Sequence, residues 1–305
     1  MFDYGELKYY GFGIKAGLAN LFANWFTLGA KKTVGKITQP INSYTRFPEY
    51  YYFEKRIREY LLNRQHAGGI QILDVGSPKM LGLYLAYNTR CKVSLTDISE
   101  LNVDEYQAMW KALKSRAKGD AQFSLQDARV LQFADAQFDI VYSMSVVEHI
   151  EGELGDSKAI LEMLRVLKPG GLLILSVPFG PRYVEQQRIG FAGAVRSTAD
   201  RQAYFFQRIY DQSSFERRIA TQFSALEQTS FVTVWRKHKW LTRSFQSLSD
   251  NVRGLLGFCN PLLSALANRS AVGVSSNFEV EYGSFHQARD VYGDLIMTAR
   301  KTPAN

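Results

Sequence analysis

The sequence predicts an α/β fold with a doubly wound, mostly parallel sheet, on three observations. Ile70-Gln71-Ile72-Leu73-Asp74-Val75-Gly76-Ser77 is a short apolar run that ends in an acid and a glycine. Ser94-Leu95-Thr96-Asp97 is a second run that ends in an acid, and further apolar runs follow at spacings that leave room for a helix between them. Buried parallel strands read as near-continuous apolar runs, and in open α/β sheets a ligand lies beyond their carboxyl ends. Asp74 and Asp97 stand at those ends. Gly76 lets the chain turn tightly and approach a bound molecule, and an acid about 20 residues farther on is placed to accept hydrogen bonds from a ribose. This is nucleotide-type cofactor chemistry.

From the N-terminus, Ile14, Leu18, Leu21, Phe22, Trp25 and Leu28 recur at helical spacing within residues 11–30, with Lys31, Lys32 and Lys36 just beyond. Lys15, Asn20, Asn24 and Thr27 interrupt this stretch, so a bilayer span is not expected. Two readings stand for the amphipathic helix: a lid packed on the protein or a partner subunit, and a contact with a membrane surface. Residues 38–66 carry the Pro- and Tyr-rich passage Arg46-Phe47-Pro48-Glu49-Tyr50-Tyr51-Tyr52-Phe53 and then a polar helix that ends near Gly68-Gly69. Residues 1–66 are thus read as a helical, aromatic lid. Strands follow at about 70–75, 92–97, 121–125, 138–143 and 172–177, a sixth within 230–235 and a seventh at 294–300, with helices between the first five. The passage from Arg236 to Gly293 is too long for a hairpin loop and predicts an inserted substructure with helices, including an apolar one around Leu255 to Leu266. The expected organisation is a lid over 1–66 and a cofactor domain over 67–305 with insertions about 180–215 and 236–290.

A dinucleotide fold would want Gly-x-Gly-x-x-Gly after the first strand, to cradle a pyrophosphate. The chain reads Gly76-Ser77-Pro78-Lys79-Met80, and Pro78 offers no amide. A cofactor with ribose and adenine but no phosphate fits better.

With the downstream segments, residues 67–180 resemble the class I S-adenosylmethionine-dependent methyltransferases. Asp74 and Gly76 match that family's Asp/Glu-x-Gly-x-Gly loop, whose second glycine is Pro78 here. Asp97 matches its ribose-binding acid and Asp127-Ala128 the pair beside the adenine. Phe138-Asp139-Ile140-Val141-Tyr142-Ser143 resembles its fourth strand, followed by Val147-Glu148-His149-Ile150, and the run from Leu164 to Leu175 resembles its helix, Lys-Pro-Gly-Gly turn and fifth strand. The resemblance implies a Rossmann-like seven-stranded sheet whose last strand is antiparallel, with S-adenosylmethionine as cofactor. It also implies a cofactor site formed by Asp74, Gly76, Ser77, Asp97, Ile98, Asp127, Ala128 and Ser143.

His149 is one of four histidines. Its near-neutral reference pKa suits a general base for a hydroxyl acceptor, against the alternative that it caps or hydrogen-bonds the helix after the fourth strand. Some O-methyltransferases hold a divalent metal with Glu-x-x-Glu-His at this place; the first glutamate position is Ser145 here, so no metal is expected. Ala203-Tyr204-Phe205-Phe206-Gln207-Arg208-Ile209-Tyr210-Asp211 resembles an Arg-x-Tyr-Asp passage of bacterial methyltransferases from glycan and secondary-metabolite gene clusters. Tyr204, Arg208, Tyr210 and Asp211 are candidates to grip a polyhydroxyl acceptor, with Arg182 and Tyr183 at the mouth. The alternative is that Arg208 and Asp211 pair with each other at a helix end.

Charge and cysteine content bound the partners. Lys+Arg against Asp+Glu runs 10 to 5 over residues 1–66, 11 to 14 over 67–181, 12 to 6 over 182–253 and 4 to 4 beyond. The cofactor region is mildly acidic and its flanks basic, which suits an anionic small-molecule or glycan acceptor, or a plain solvated exterior. Ser143-Met144-Ser145-Val146 lacks the Asn/Asp-Pro-Pro-Tyr of base methyltransferases, so nucleic acid is disfavoured. Two cysteines make no disulfide framework, and Asp3 and Glu6 do not open a signal peptide, so a cytoplasmic location is expected, with peripheral membrane contact or a homodimer left open. The sequence reading is a methyltransferase acting on a hydroxyl of a sugar, glycolipid or related metabolite. N-methylation and a non-catalytic subunit that keeps the fold are the alternatives.

Overall fold

The computed structural model describes residues 9, 11–13, 15–19, 47–63, 69–189, 203–236, 278–282 and 293–302. Helix α1 (Phe47–Leu62) carries Pro48 and Glu49 in its first turn, where a missing amide and a negative charge are both favourable. It buries Tyr50, Phe53, Ile57 and Tyr60 along one stripe. Then come β1 (Gln71–Val75), α2 (Met80–Asn88), β2 (Lys92–Asp97), α3 (Glu100–Leu113), β3 (Asp120–Leu125), β4 (Phe138–Met144), α4 (Gly155–Val166) and β5 (Leu167–Phe179). The hairpin β6 (Val184–Ile189) and β7 (Ala203–Ile209) precedes α5 (Gln212–Arg218), β8 (Leu226–Arg236), β9 (Phe278–Tyr282) and β10 (Gly293–Lys301).

The main sheet has the order β3-β2-β1-β4-β5-β10-β8-β9, and β6-β7 form a second, two-stranded sheet. Strands β1 to β5 pair in parallel, while β10 runs antiparallel between β5 and β8. Because the chain winds outward from β1 in one direction and from β4 in the other, a crevice opens at the carboxyl ends of these two neighbours. The cofactor loop starts there.

Successive strand residues point to opposite faces, which splits the core in two. Ile72, Ile140, Ile174 and Ile296 join α1, α2 and α3 on one face, and Leu73, Val141, Leu175 and Leu295 join α4 and α5 on the other. Strand β4 is buried along its whole length, as a central strand covered on both sides must be. Helix α2 is buried from Met80 to Ala86 because it lies between the sheet and the N-terminal segment.

Three expectations change. The sheet has eight strands, because β9, from the predicted insertion, pairs antiparallel with β8 at the edge; the apolar stretch around Leu255 to Leu266 lies outside the described residues. Strand β5 starts at Leu167, before the predicted 172, since Lys168-Pro169-Gly170-Gly171 forms a bulge: Phe138 pairs with Leu167 and Ile140 with Leu172. Gly170, at φ 70°, takes the left-handed conformation this bulge requires. In the N-terminal helix, the described turns bury Tyr9, Phe12 and Ala16, not the predicted face, of which Leu18 is 41% exposed. Tyr9 and Phe12 stack on Tyr84 at 5.0 and 5.5 Å between ring centroids, so packing on α2 decides which face turns inward. Residues 20–46, which hold the rest of the predicted face, lie outside the described residues.

Candidate active site

The loop between β1 and α2 is fixed by its own polar groups. Gly76 sits at φ 68°, and a Cβ built on it would lie 2.7 Å from Val146 Cγ1, so a larger residue is strained on conformational grounds and must displace Val146. Its amide donates to the Thr96 carbonyl at 3.0 Å. The Ser77 amide donates to Asp74 Oδ1 at 2.9 Å, and Ser77 Oγ accepts from the Met144 amide at 2.9 Å. Tyr142 donates its hydroxyl to Asp74 Oδ2 at 2.8 Å. Asp74 is wholly buried, and burial pushes its carboxyl up, against the opposing pull of Lys79, Tyr142 and Ser77. Burial, and then Asp74, push the Tyr142 phenol well above its ordinary value.

At the end of β2, Asp97 Oδ1 accepts from the Ser99 amide at 2.9 Å and Oδ2 from Asn102 Nδ2 at 3.3 Å. Ser99 also caps α3. The Asp97 side chain keeps 12% exposure, and Ile98 beside it is 72% exposed. Asp127 chelates Arg129, with Oδ2 to Nη2 at 2.6 Å, and that bond holds its carboxyl below the ordinary range. Ala128 packs against the second core, and Ser143 is buried with its hydroxyl donated to the Val75 carbonyl at 2.9 Å. Asp74, Ser77 and Ser143 are therefore buried in the loop and strand ends, while Asp97, Ile98 and Asp127 are the residues of this set that keep exposure.

These features fit S-adenosylmethionine. A glycine held at positive φ opens the loop at the switch point, and a partly exposed carboxylate at the neighbouring strand end suits ribose hydroxyls. Residues 73–175 match the family model described as a methyltransferase domain. The chain carries a class I S-adenosylmethionine-dependent methyltransferase domain. Over 56 residues, 18% of this chain and 17% of the relative, it is 39% identical to the 2-methyl-6-phytyl-1,4-hydroquinone methyltransferase of Synechocystis. Over 130 residues, 43% of this chain and 46% of the relative, it is 26% identical to a probable S-adenosylmethionine-dependent methyltransferase of Mycolicibacterium smegmatis. The chain spans less than half the length of these curated relatives. A solved S-adenosylmethionine-dependent methyltransferase of Methanosarcina mazei aligns over 82% of this chain and 98% of its own, with a TM-score of 0.47 and 16% identity.

On the acceptor side of the methyltransferase domain, His149 closes a single 3-10 turn, Val147–His149, just after β4. Its Nδ1 lies 2.6 Å from the Phe206 carbonyl, and its ring meets the Phe206 ring at 5.0 Å. A carbonyl only accepts, so Nδ1 carries the proton and Nε2 remains as the basic nitrogen. Glu148 Oε1 is 3.7 Å from Nε2, so a proton taken up there gains an ionic partner. The local hydrogen bond and a base role are thus compatible.

The candidate acceptor residues divide. Arg208, 2% exposed, donates to the Ile150 carbonyl at 2.7 Å and the Gly152 carbonyl at 2.6 Å, and pairs with Glu185 at 3.3 Å. Tyr210, buried, donates to Asp156 Oδ2 at 2.8 Å. Asp211 caps α5, accepting from the Ser214 amide at 2.8 Å, and also accepts from the Tyr183 amide at 3.1 Å. Arg208 and Asp211 thus have separate partners and do not form the ion pair the sequence offered as an alternative. The Tyr183 hydroxyl donates to Glu185 at 2.6 Å, Arg182 is exposed and Tyr204 is half-buried. Arg208 and Tyr210 fasten the segment after His149, at Ile150, Gly152 and Asp156, to the end of β7.

Sequence reasoning missed two residues. Glu49, buried in α1, accepts from Ser145 Oγ at 2.8 Å and Ser176 Oγ at 2.6 Å, which anchors α1 over the carboxyl ends of β4 and β5. Ser145 there takes φ 49°, a conformation uncommon outside glycine. Lys79, also buried, lies 3.6 Å from Asp74 and 3.4 Å from Asp97. Only the lysine at the end of the Gly76-Ser77-Pro78-Lys79 loop carried a signal; nothing local marks Glu49. Among the described residues no three His, Cys, Asp or Glu side chains gather as a metal site, and no helix is long and apolar enough to cross a membrane.

Proposed function

We propose that the chain transfers the methyl group of S-adenosylmethionine to a hydroxyl of a sugar, glycolipid or related small metabolite. The cofactor, when bound, supplies an activated methyl on a sulfonium; the chain supplies orientation and a base. Gly76, Asp97 and Asp127 would hold the cofactor, and His149 would take the hydroxyl proton at Nε2. The observation that carries this reading is the His149 geometry: an imidazole at the end of β4, fixed through Nδ1, leaves its basic nitrogen at the edge of the acceptor side. A nitrogen acceptor that reacts as a free amine has less need of such a base.

The basic flanks support an anionic acceptor, because 12 Lys+Arg against 6 Asp+Glu fall in residues 182–253 of the sequence. Cytoplasmic residence, with peripheral membrane contact or homodimerisation through the N-terminal segment, belongs to the same proposal.

A specific observation favours a second reading, a non-catalytic subunit. The two acids that face the cofactor each hold a cation of the chain itself, Asp97 that of Lys79 and Asp127 that of Arg129. Incubation with methyl-labelled S-adenosylmethionine and fractionated extract separates the readings. Label on an oxygen of a small or glycan product supports the proposal, label on nitrogen replaces it with N-methylation, and no transfer to any fraction supports the subunit.

A further inference from the structure

Lys79 stands in the cofactor loop with its ammonium buried between two carboxylates, 3.6 Å from Asp74 Oδ1 and 3.4 Å from Asp97 Oδ2. It donates to the Ser77 carbonyl at 2.6 Å, which pins it within the loop that Gly76 opens. Its side chain is 2% exposed, so solvent screens these interactions little. Lys79 thus sets one positive charge between the carboxylates of buried Asp74 and partly exposed Asp97.

The two forms of the cofactor differ in charge. S-adenosylmethionine carries a positive sulfur that S-adenosylhomocysteine lacks, while their ribose, adenine and amino-acid groups are the same. A lysine that neutralises one of two carboxylates lowers the attraction for the cationic form and leaves the neutral form nearly untouched.

Building on the assignment of this crevice to S-adenosylmethionine, we propose that Lys79 sets the selectivity of the pocket between sulfonium substrate and thioether product. It does so as an internal counter-ion to Asp74 and Asp97. Asp97 keeps 12% exposure beside this lysine, so ribose hydroxyls can still reach it.

The test is a ratio. Calorimetry at pH 8 would give the affinity of both ligands for wild type, Lys79→Met and Lys79→Arg. Lys79→Met should shift the ratio toward S-adenosylmethionine by about tenfold, and Lys79→Arg, which keeps the charge, should leave it within about twofold. If Lys79 only braced the loop, its loss would weaken both ligands alike, and a ratio unchanged in Lys79→Met overturns the proposal. So does an equal shift in Lys79→Arg. Should Lys79→Met fail to fold, Lys79→Gln, which also removes the charge, is read in the same way, and an unchanged ratio in it overturns the proposal. A wild type that binds neither ligand overturns the cofactor assignment instead, and so is told apart from failure of the Lys79 role.

Discussion

The Ser145 hydroxyl donates to the Glu49 carboxylate at 2.8 Å, across 96 residues of sequence. Ser176 donates to the same oxygen at 2.6 Å. One buried acid thereby ties α1 to the ends of two central strands. Replacing Glu49 by Ala would leave both hydroxyls without this acceptor in a buried place. The expected loss of stability is about 1–3 kcal/mol by urea unfolding, with Glu49→Gln losing less because its amide oxygen still accepts. Equal stability of Glu49→Ala and the wild type would contradict this anchoring role.

Gly76→Ala is expected to weaken S-adenosylmethionine binding by about tenfold or more, since φ 68° costs an alanine about 1–2 kcal/mol and the added methyl meets Val146. Val146→Ala in the same chain removes the clash but not the conformational cost, so it should restore binding only in part. Full restoration would assign the whole effect to sterics.

The pH dependence of stability follows from Asp74. Its carboxyl lies above the ordinary 3.8 in the folded state because it is buried. For an acid raised on folding, the stabilising contribution is full below the unfolded value and is lost as pH climbs through the folded value. Asp74→Asn removes that loss. The unfolding free energy of wild type relative to Asp74→Asn should therefore fall as pH rises above about 4. A difference that stays flat or grows as pH rises would mean that Lys79 and Tyr142 outweigh the desolvation.

His149→Ala is expected to lower methyl transfer by about 100-fold or more with cofactor affinity unchanged. The readout is label transfer to whichever extract fraction the wild type methylates. Full activity would leave His149 with only its hydrogen bond to the hairpin. Added chelator should not change the wild-type rate, and inhibition reversed by magnesium would bring Glu148 and His149 back as metal ligands.

Much of this was legible because it is local. The apolar runs around Ile72, Leu95, Ile140 and Leu175 mark buried strands, and the acids at positions 74 and 97 follow from where such strands end. Gly76 announces a turn, and the structure gives it a positive φ and a crowded approach. The Lys168 to Gly171 turn was visible as a turn, but its continuation of β5 as a bulge depends on pairing with β4. What could not be read depends on long-range contact. Glu49 is one more acid in a tyrosine-rich helix until Ser145 and Ser176 are brought to it. Arg208, Tyr210 and Asp211 have the chemistry of a glycan grip, and only the folded chain shows them engaged with Ile150, Gly152, Asp156 and Ser214. Burial of a charged side chain is decided by its partners, and those lie elsewhere in the sequence.

Asp97 is proposed to hold the ribose of S-adenosylmethionine beside the loop that Gly76 opens. Calorimetry of the wild type and Asp97→Ala with S-adenosylmethionine tests it most directly. The account predicts micromolar binding by the wild type and a loss of about 2–4 kcal/mol, or about 30-fold or more, in the variant, with the fold kept, because charge-assisted hydrogen bonds are removed. A wild type that does not bind, or a variant that binds within about twofold of it, would contradict the account.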